Sequence, residues 1–168
     1  MVLYPSKLKI SKSMKQVMRG NKFTYTLDTQ FETVIRQCSK PRIGQDNVWA
    51  WLTEDMIQAY LQLHSLGFAH SVEVWKDAKI VGGLYGISLG GIFFGESMFT
   101  NVSNASKFGF ISLVQQLEKL NFGLIDCQVH TNHLESLGAE EIIRLKFLKE
   151  LNTELEKPTY KGSWSKLI

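Results

Sequence analysis

The central part of the sequence constrains the fold most, because it predicts three consecutive strands joined by very short connections. The short turn "KDAK" separates "HSVEVW" (70–75) from "IVGGLYGIS" (80–88). Gly90 and Gly91 form a second turn, which leads into "IFFGE" (92–96). Parallel neighbours need a crossover of a dozen or more residues, so connections this short require antiparallel pairing. We therefore predict an antiparallel meander, with its third strand ending near Glu96.

Helical patterns flank this meander on both sides. "KFTYTL" (22–27) alternates and predicts a strand before them. Asp28 is expected to cap a first helix, and Thr53 a second one that Gly67 ends, with a loop from Pro41 to Asn47 between them. The apolar residues assigned to these two helices are Phe31, Val34, Ile35 and Cys38, then Met56, Ile57, Tyr60, Leu61 and Leu63.

The second half continues with a helix capped by Asn104 and a strand "GLIDCQV" (123–129). A last helix is predicted from Gly138 to about Leu151. Helices on a mostly antiparallel sheet define an α+β, or mixed α/β, domain. We assign residues 1–22 to a basic N-terminal segment, 23–156 to the domain and 157–168 to a loosely packed tail.

Composition narrows the class of protein. The chain has 168 residues, enough for one domain with a full core. No apolar run approaches the length of a membrane-spanning helix, and the first residues lack the apolar centre of a signal peptide. Cys38 and Cys127 are too far apart in sequence to suggest a disulfide framework, so a reduced, cytoplasmic protein is expected.

Basic residues crowd the N-terminal segment, although the net charge is only +3. No acidic residue occurs before Asp28. The cluster consists of Lys7, Lys9, Lys12, Lys15, Arg19 and Lys22. It fits either a polyanionic partner such as RNA or a solvated basic edge, and the sequence leaves both open.

One carboxylate interrupts the apolar stretch "GIFFGESMFT" (91–100). An unpaired buried charge costs several kcal/mol, so Glu96 is either paired or faces a cavity that a ligand enters.

A second polar pair lies in "LIDCQV". Alternation along a strand puts Ile125, Cys127 and Val129 on the core face and leaves Asp126 and Gln128 on the other, roughly 7 Å apart. The pair could bind a ligand or tie down a loop.

The remaining polar and aromatic candidates carry weaker signals. His64 is placed in a helix, His70 at the start of a strand, and His130 and His133 in a loop, without the spacing of a metal site. Trp49 and Trp51 precede a helix and could belong to the core or stack on a base.

Six segments occur together and in order: "AWLTEDMIQAYLQLHSLGFAHSVEVW", "IVGGLYG", "FFGESMF", "NASK", "LIDCQV" and "HLESLGAEEIIR". Through them, and from about Leu8 to about Leu151, the chain resembles the leucyl/phenylalanyl-tRNA–protein transferases. The resemblance implies a GNAT-like acyltransferase fold and transfer of Leu or Phe from the 3′ end of aminoacyl-tRNA to proteins that begin with Arg or Lys. It further implies marking of those proteins for degradation through the N-degron pathway, in the cytoplasm, without metal or cofactor; we expect a monomer.

The resemblance also implies roles for particular residues. Asp126 and Gln128 match the family's catalytic pair, Glu96 its glutamate at the aminoacyl pocket, and Trp51 a tryptophan that contacts the tRNA 3′ end. We add Leu84, Phe93 and Met98 as apolar walls for the Leu or Phe side chain, and Lys7, Lys9, Lys12, Lys15 and Arg19 as tRNA contacts.

One departure from the family pattern leads to rival functions. Family members carry further residues before the equivalent of "VLYP", ending near "GIFPW", and this sequence starts without them. A tRNA-binding fragment without catalysis is therefore one alternative. An N-acetyltransferase using acetyl-CoA is another, although neither "NASKFGF" nor "GISLGG" supplies the glycine loop opening a helix that binds a pyrophosphate.

Overall fold

The computed structural model describes residues 1–40 and 52–167. The predicted loop from Pro41 to Asn47 lies outside these residues, as do Trp49 and Trp51. The strands are β1 (Val2–Leu3), β2 (Thr24–Leu27), β3 (Ala69–Lys76), β4 (Lys79–Leu89), β5 (Ile92–Thr100) and β6 (Leu124–Asp126). The helices are a 3-10 turn (Pro5–Lys7), α1 (Lys12–Arg19), α2 (Phe31–Cys38), α3 (Glu54–Ser65), α4 (Ala105–Lys119), α5 (Asn132–Ser136) and α6 (Arg144–Leu155).

The six strands form one sheet in the order β1-β6-β5-β4-β3-β2. Every neighbouring pair is antiparallel except β5 and β6, which run parallel. The predicted meander of β3, β4 and β5 is confirmed. Asp77 and Ala78 join β3 to β4 with φ of 50° and 58°, the conformation of a tight hairpin turn that matches the twist of the sheet.

Helices cover both faces of the sheet. Helix α4 packs on one face, and its residues share the main core with Leu84 of β4. Helices α2 and α3 pack on the other face, where Tyr85, the next residue of β4, belongs to a second core. Adjacent strand residues point to opposite faces, so Leu84 and Tyr85 mark the two sides. The mixed α/β class with a mostly antiparallel sheet is confirmed.

Helices α3 and α4 begin at the predicted capping residues, but only one of the two side chains makes a capping hydrogen bond. Thr53 caps α3 as predicted, and its hydroxyl accepts a hydrogen bond from the Met56 amide at 3.4 Å. Asn104 occupies the capping position of α4, but with φ of 70° its side chain makes no capping bond.

Asp28 does not cap α2, so that prediction is wrong. Gln30 holds the capping position, and the Asp28 carboxylate accepts hydrogen bonds from the Ser71 amide, the His70 ring and the Trp164 amide. Trp164 is only 3% exposed, so the predicted looseness of the tail is also wrong: the tail is fastened to the end of β2 and to β3.

The strand predicted over 123–129 is shorter than expected. It ends at Asp126, and Gln128 has φ of 59°, which a strand cannot accommodate. Val129, assigned to the core by alternation, is 71% exposed. Alternation therefore does not reach past Asp126.

The last helix starts later than predicted. Gly138 has φ of 99°, and Val2 and Glu140 exchange backbone hydrogen bonds of 2.9 and 2.8 Å. The backbone after Gly138 is hydrogen-bonded to the edge strand β1 and therefore cannot begin a helix. Helix α6 starts only at Arg144. Within residues 1–40 and 52–167, none of the helices combines the length and apolar composition that a bilayer crossing needs.

Candidate active site

The parallel strands β5 and β6 separate in the middle of the sheet. Their pairing covers residues 92–94 of β5 and ends where Phe94 faces Asp126. Strand β5 then continues to Thr100, paired on its other side with β4, while the chain leaves β6 after Asp126. Within the described part of the chain, no strand fills the place beside residues 96–100. A gap therefore opens between the two strands.

Gln128 borders this gap because Asp126 fixes the turn that follows β6. The Gln128 amide donates a 2.8 Å hydrogen bond to Asp126 Oδ1, an Asx-type turn in which an aspartate side chain mimics the backbone. The positive φ of Gln128 turns its side chain toward β5, where Nε2 lies 3.4 Å from Glu96 Oε2. Asp126 and Gln128 are thus neighbours, although not through the shared strand face that alternation predicted.

Glu96 occupies a bulge in β5. Gly95 pairs with Gly86 and Ser97 pairs with Tyr85, so Glu96 is the extra residue between two adjacent positions of β4. Bulges re-aim side chains and recur beside active sites. The strand does not end near Glu96, as predicted, but continues through the bulge to Thr100.

Two tyrosines complete the polar side of the gap. The Tyr60 hydroxyl of α3 is hydrogen-bonded to Glu96, and the Tyr60 and Tyr85 rings meet edge to face with centroids 5.1 Å apart. Burial, followed by the charge of Glu96, raises the pKa of Tyr60, and burial is also the main cause of the raised pKa of Tyr85. Both phenols therefore stay protonated and can donate hydrogen bonds.

Tyr85 adds a buried hydroxyl that has no hydrogen-bond partner among the described residues. A buried polar group without a partner costs about 1–3 kcal/mol, so such groups commonly mark functional sites. Sequence reasoning missed both tyrosines. It counted Tyr60 among the apolar residues of α3 and took Tyr85 as one residue of a strand. Their helix-to-strand contact across the second core had no signal in the local pattern.

The proposed apolar walls lie on the opposite side of the sheet. Leu84 and Phe93 are 2% and 1% exposed, and Met98, paired directly with Leu84, packs against the same main core. The Phe93 ring covers Gly86, where a Cβ atom would come within 2.5 Å of it. The bulge turns Glu96 toward Tyr60, so the carboxylate and the three apolar residues do not share a face.

Cys127 lies between the two catalytic candidates in sequence, but its thiol is not in the reactive thiolate form. It packs against the main core, and burial, followed by the charge of Asp126, raises the pKa of its thiol to about 12. The thiolate is the nucleophilic form of cysteine. A thiol with this pKa is therefore protonated at neutral pH and fits the small apolar residue that the sequence predicts.

The five predicted tRNA contacts are all exposed. Lys12, Lys15 and Arg19 belong to α1, whose first turn is capped by Ser11. Lys7 differs because its ammonium group is 2.9 Å from Glu140 and 4.5 Å from the centre of the Tyr4 ring. A phosphate at Lys7 would have to compete with a carboxylate.

The histidines serve local contacts. His64 Nδ1 lies 2.7 Å from the Ala69 carbonyl, and His130 lies 3.2 Å from Glu135. His133 is in helix α5 instead of the predicted loop, and burial followed by the charge of Lys107 lowers its pKa. Across the described ranges, no three His, Cys, Asp or Glu side chains cluster as metal ligands do.

The fold matches those of two proteins of known structure. An aminoglycoside N-acetyltransferase solved in complex with CoA matches with a TM-score of 0.51 at 15% identity, over 75% of this chain and 93% of that one. L-PGS from Bacillus licheniformis matches with a TM-score of 0.50 at 14% identity, over 90% of this chain and 50% of that one. Identities this low show a shared fold alone, and that fold is GNAT-like.

Sequence comparison identifies the family to which the chain belongs. Residues 2–152 match the family model described as leucyl/phenylalanyl-tRNA protein transferase. Relatives named leucyl/phenylalanyl-tRNA–protein transferase are 49% identical in Pseudomonas fluorescens, over 97% of this chain and 71% of the relative. The relative in Syntrophus aciditrophicus is 50% identical, over 98% of this chain and 68% of the relative. The relative in Christiangramia forsetii is 54% identical, over 90% of this chain and 72% of the relative. The chain belongs to the leucyl/phenylalanyl-tRNA–protein transferase family.

Proposed function

We propose that this aminoacyltransferase moves Leu or Phe from aminoacyl-tRNA to the N-terminal α-amino group of proteins that begin with Arg or Lys. Family membership supports transfer of an aminoacyl group from tRNA to protein. The observation that carries the assignment of the site is the gap where β5 and β6 separate, because Glu96, Asp126 and Gln128 all border it.

The reaction needs positioning more than strong activation. The acceptor nitrogen attacks the carbonyl carbon of the aminoacyl ester, a C–N bond forms, and the bond to the ribose oxygen of tRNA breaks. The amine loses a proton and the ribose oxygen gains one. An α-amino group has a pKa of about 7.7–8.0, so a substantial fraction is already neutral near pH 7.5. Holding the amine against the ester supplies much of the remaining barrier reduction.

Asp126 is the proposed proton acceptor. Its Oδ1 is occupied by the Gln128 amide, whereas Oδ2 accepts no hydrogen bond from a described residue. The free oxygen can take the proton that the attacking amine loses. The Gln128 carboxamide, held by the same turn, hydrogen-bonds the amine or the developing oxyanion.

The two sides of the gap are proposed to bind different parts of the substrates. Glu96, held by Tyr60, offers the negative charge that attracts the basic first residue of the acceptor. Leu84, Phe93 and Met98 offer an apolar wall for the Leu or Phe side chain of the donor on the other face. Trp51 is proposed to contact the tRNA 3′ end, and the exposed basic residues of α1 its phosphates.

We further infer that the protein acts as a monomer in the cytoplasm, where aminoacyl-tRNA is available, and that its products enter the N-degron pathway. Light scattering coupled to gel filtration tests the monomer.

Transfer itself is tested with radiolabelled leucyl-tRNA, phenylalanyl-tRNA or acetyl-CoA and an Arg-starting peptide. We expect label from both tRNAs, none from acetyl-CoA, and none with a peptide that begins with Glu. Label from acetyl-CoA would support an acetyltransferase, and tRNA binding without transfer would support a non-catalytic tRNA-binding protein.

A further inference from the structure

The side of β5 that faces the gap is a strand edge inside the sheet. After the bulge at Glu96, residues 97–100 pair with β4 on one side. On the other side, β6 has already ended, and no backbone group of these residues bonds elsewhere in the described part of the chain. Backbone N–H and C=O groups are obligatory hydrogen-bonding groups, and a free edge is a template for another extended chain.

The position of this edge indicates its occupant. It begins at Glu96, beside Gln128, where the transfer reaction is proposed to occur. The reaction requires a protein N-terminus at that point, and an extended chain is the form that can pair with a free strand edge. Side chains along the edge are half-buried from Glu96 to Phe99 and exposed at Thr100, so the path leads outward from the reacting atoms.

We infer that the acceptor protein binds by adding its extended N-terminal segment as a strand along residues 96–100 of β5, parallel to β5 and in line with β6. This inference rests on the proposed function and adds how the protein substrate is recognised. Main-chain hydrogen bonds supply affinity that does not depend on the acceptor's later side chains, as in other strand-addition complexes. Specificity for the basic first residue is left to Glu96.

Strand pairing makes a prediction about periodicity. A stretch of five residues spans about 16 Å at about 3.3 Å per residue, so four or five acceptor residues can pair. Only every second residue of a strand turns its N–H toward a given neighbour. Removing single N–H groups of the acceptor should therefore weaken its binding at alternate positions and leave binding unchanged at the positions between them.

The test is an N-methyl scan of a short Arg-starting peptide, methylated at its second, third, fourth or fifth backbone nitrogen. The structure predicts that kcat/KM for leucine transfer falls about tenfold or more at alternate positions, the scale of one lost hydrogen bond plus a steric clash, and changes less than about twofold at the others. Equal tolerance at all four positions overturns strand addition. Absence of transfer to the unmethylated peptide overturns the proposed function and this inference with it.

Hydrogen exchange provides a readout that does not depend on catalysis. Saturating unmethylated peptide should slow exchange of alternate amides in residues 96–100. The outer edge strand Thr24–Leu27 is the internal control and should not respond. Transfer without protection at residues 96–100, or equal protection of both edges, contradicts the inference while leaving the transfer activity in place.

Discussion

At the scale of single residues, Tyr60 and Gln128 both contact the carboxylate of Glu96. A carboxylate on a bulge has no neighbour on its own strand to hold it, and the hydroxyl from α3 supplies that contact. The Tyr60 ring also packs on Tyr85. A substitution that removes only the Tyr60 hydroxyl therefore tests its contact with Glu96 while the ring still packs in the second core.

We expect Tyr60→Phe to lower kcat/KM for leucine transfer about five- to tenfold, because one hydrogen bond to a charged group is lost while the ring stays in place. Tyr25→Phe is the matched control: the Tyr25 hydroxyl accepts a 2.8 Å hydrogen bond from Gln116, away from the gap. Steady-state kinetics of both variants decide the matter. Equal losses in the two variants would assign Tyr60 to stability alone.

The Cys127 thiol should resist alkylation in the folded protein. With a pKa near 12 it is roughly one part in ten thousand thiolate at pH 8. Burial favours the neutral thiol, so its contribution to stability is full below the unfolded pKa of about 8.5 and is lost as pH rises toward the folded pKa. Mass spectrometry after iodoacetamide at pH 8 should show slow labelling of Cys127 when folded and fast labelling in urea. Fast labelling of the folded protein would contradict the burial.

At the scale of elements, the C-terminal tail is part of the core. The Trp164 indole stacks on the His70 ring with centroids 3.7 Å apart, and the fully buried Asp28 carboxylate holds both residues. Trp164 in turn lies 6.1 Å from Phe93, ring centre to ring centre. The tail thus supports the side of β5 that forms the proposed apolar wall.

Replacing Asp28 by Ala should lower the free energy of unfolding by about 3 kcal/mol, since it strands two amides and an imidazole in a buried place. Asp77→Ala is the control, because Asp77 also has a positive φ but an 84% exposed side chain. Denaturant unfolding measures the difference, and the fluorescence of Trp164 should shift to the red only in the Asp28 variant. Similar stability of the two variants would show that the tail is not fastened by Asp28.

Elements with strong local signals were predictable from the sequence. Thr53 followed by two acidic residues defined the start of α3, and the short turns defined the meander. Two of the failures share one cause, which is competition from residues distant in sequence. Gly138 could have opened a helix, but the segment after it is used to bridge β1. Asp28 has the chemistry of a helix cap, but its carboxylate accepts hydrogen bonds from His70 and Trp164 instead.

The structure brings three of the predicted site residues together, in an arrangement that the sequence did not predict. Glu96, Asp126 and Gln128 stand out as polar groups in apolar surroundings. Their arrangement depends on a bulge and on a positive φ at a glutamine. Neither leaves a trace in residue periodicity, because each interrupts the regular backbone on which periodicity depends.

At the scale of the whole molecule, the basic N-terminal segment predicts how the protein meets tRNA. Each phosphate contact releases counterions, so affinity should fall steeply with salt. Changing Lys12 and Lys15 together to Ala should reduce the slope of log affinity against log salt by about 2. The control changes Lys76 and Lys79, on the turn between β3 and β4. Filter binding across a salt series measures both slopes, and an unchanged slope for the Lys12 and Lys15 variant would remove α1 from the tRNA interface.

The central claim is that transfer occurs in the gap between β5 and β6, with Asp126 as proton acceptor and Gln128 beside it. The most direct measurement is the single-turnover rate of leucine transfer by Asp126→Asn, which keeps an oxygen for the Gln128 amide and removes the base. Cys127→Ala, one residue along the same segment, is the control. We expect a loss of at least about 100-fold for Asp126→Asn, the scale of a missing general base, and less than about threefold for Cys127→Ala. A folded Asp126→Asn protein that transfers at the normal rate, or a folded Cys127→Ala protein that does not, would contradict it.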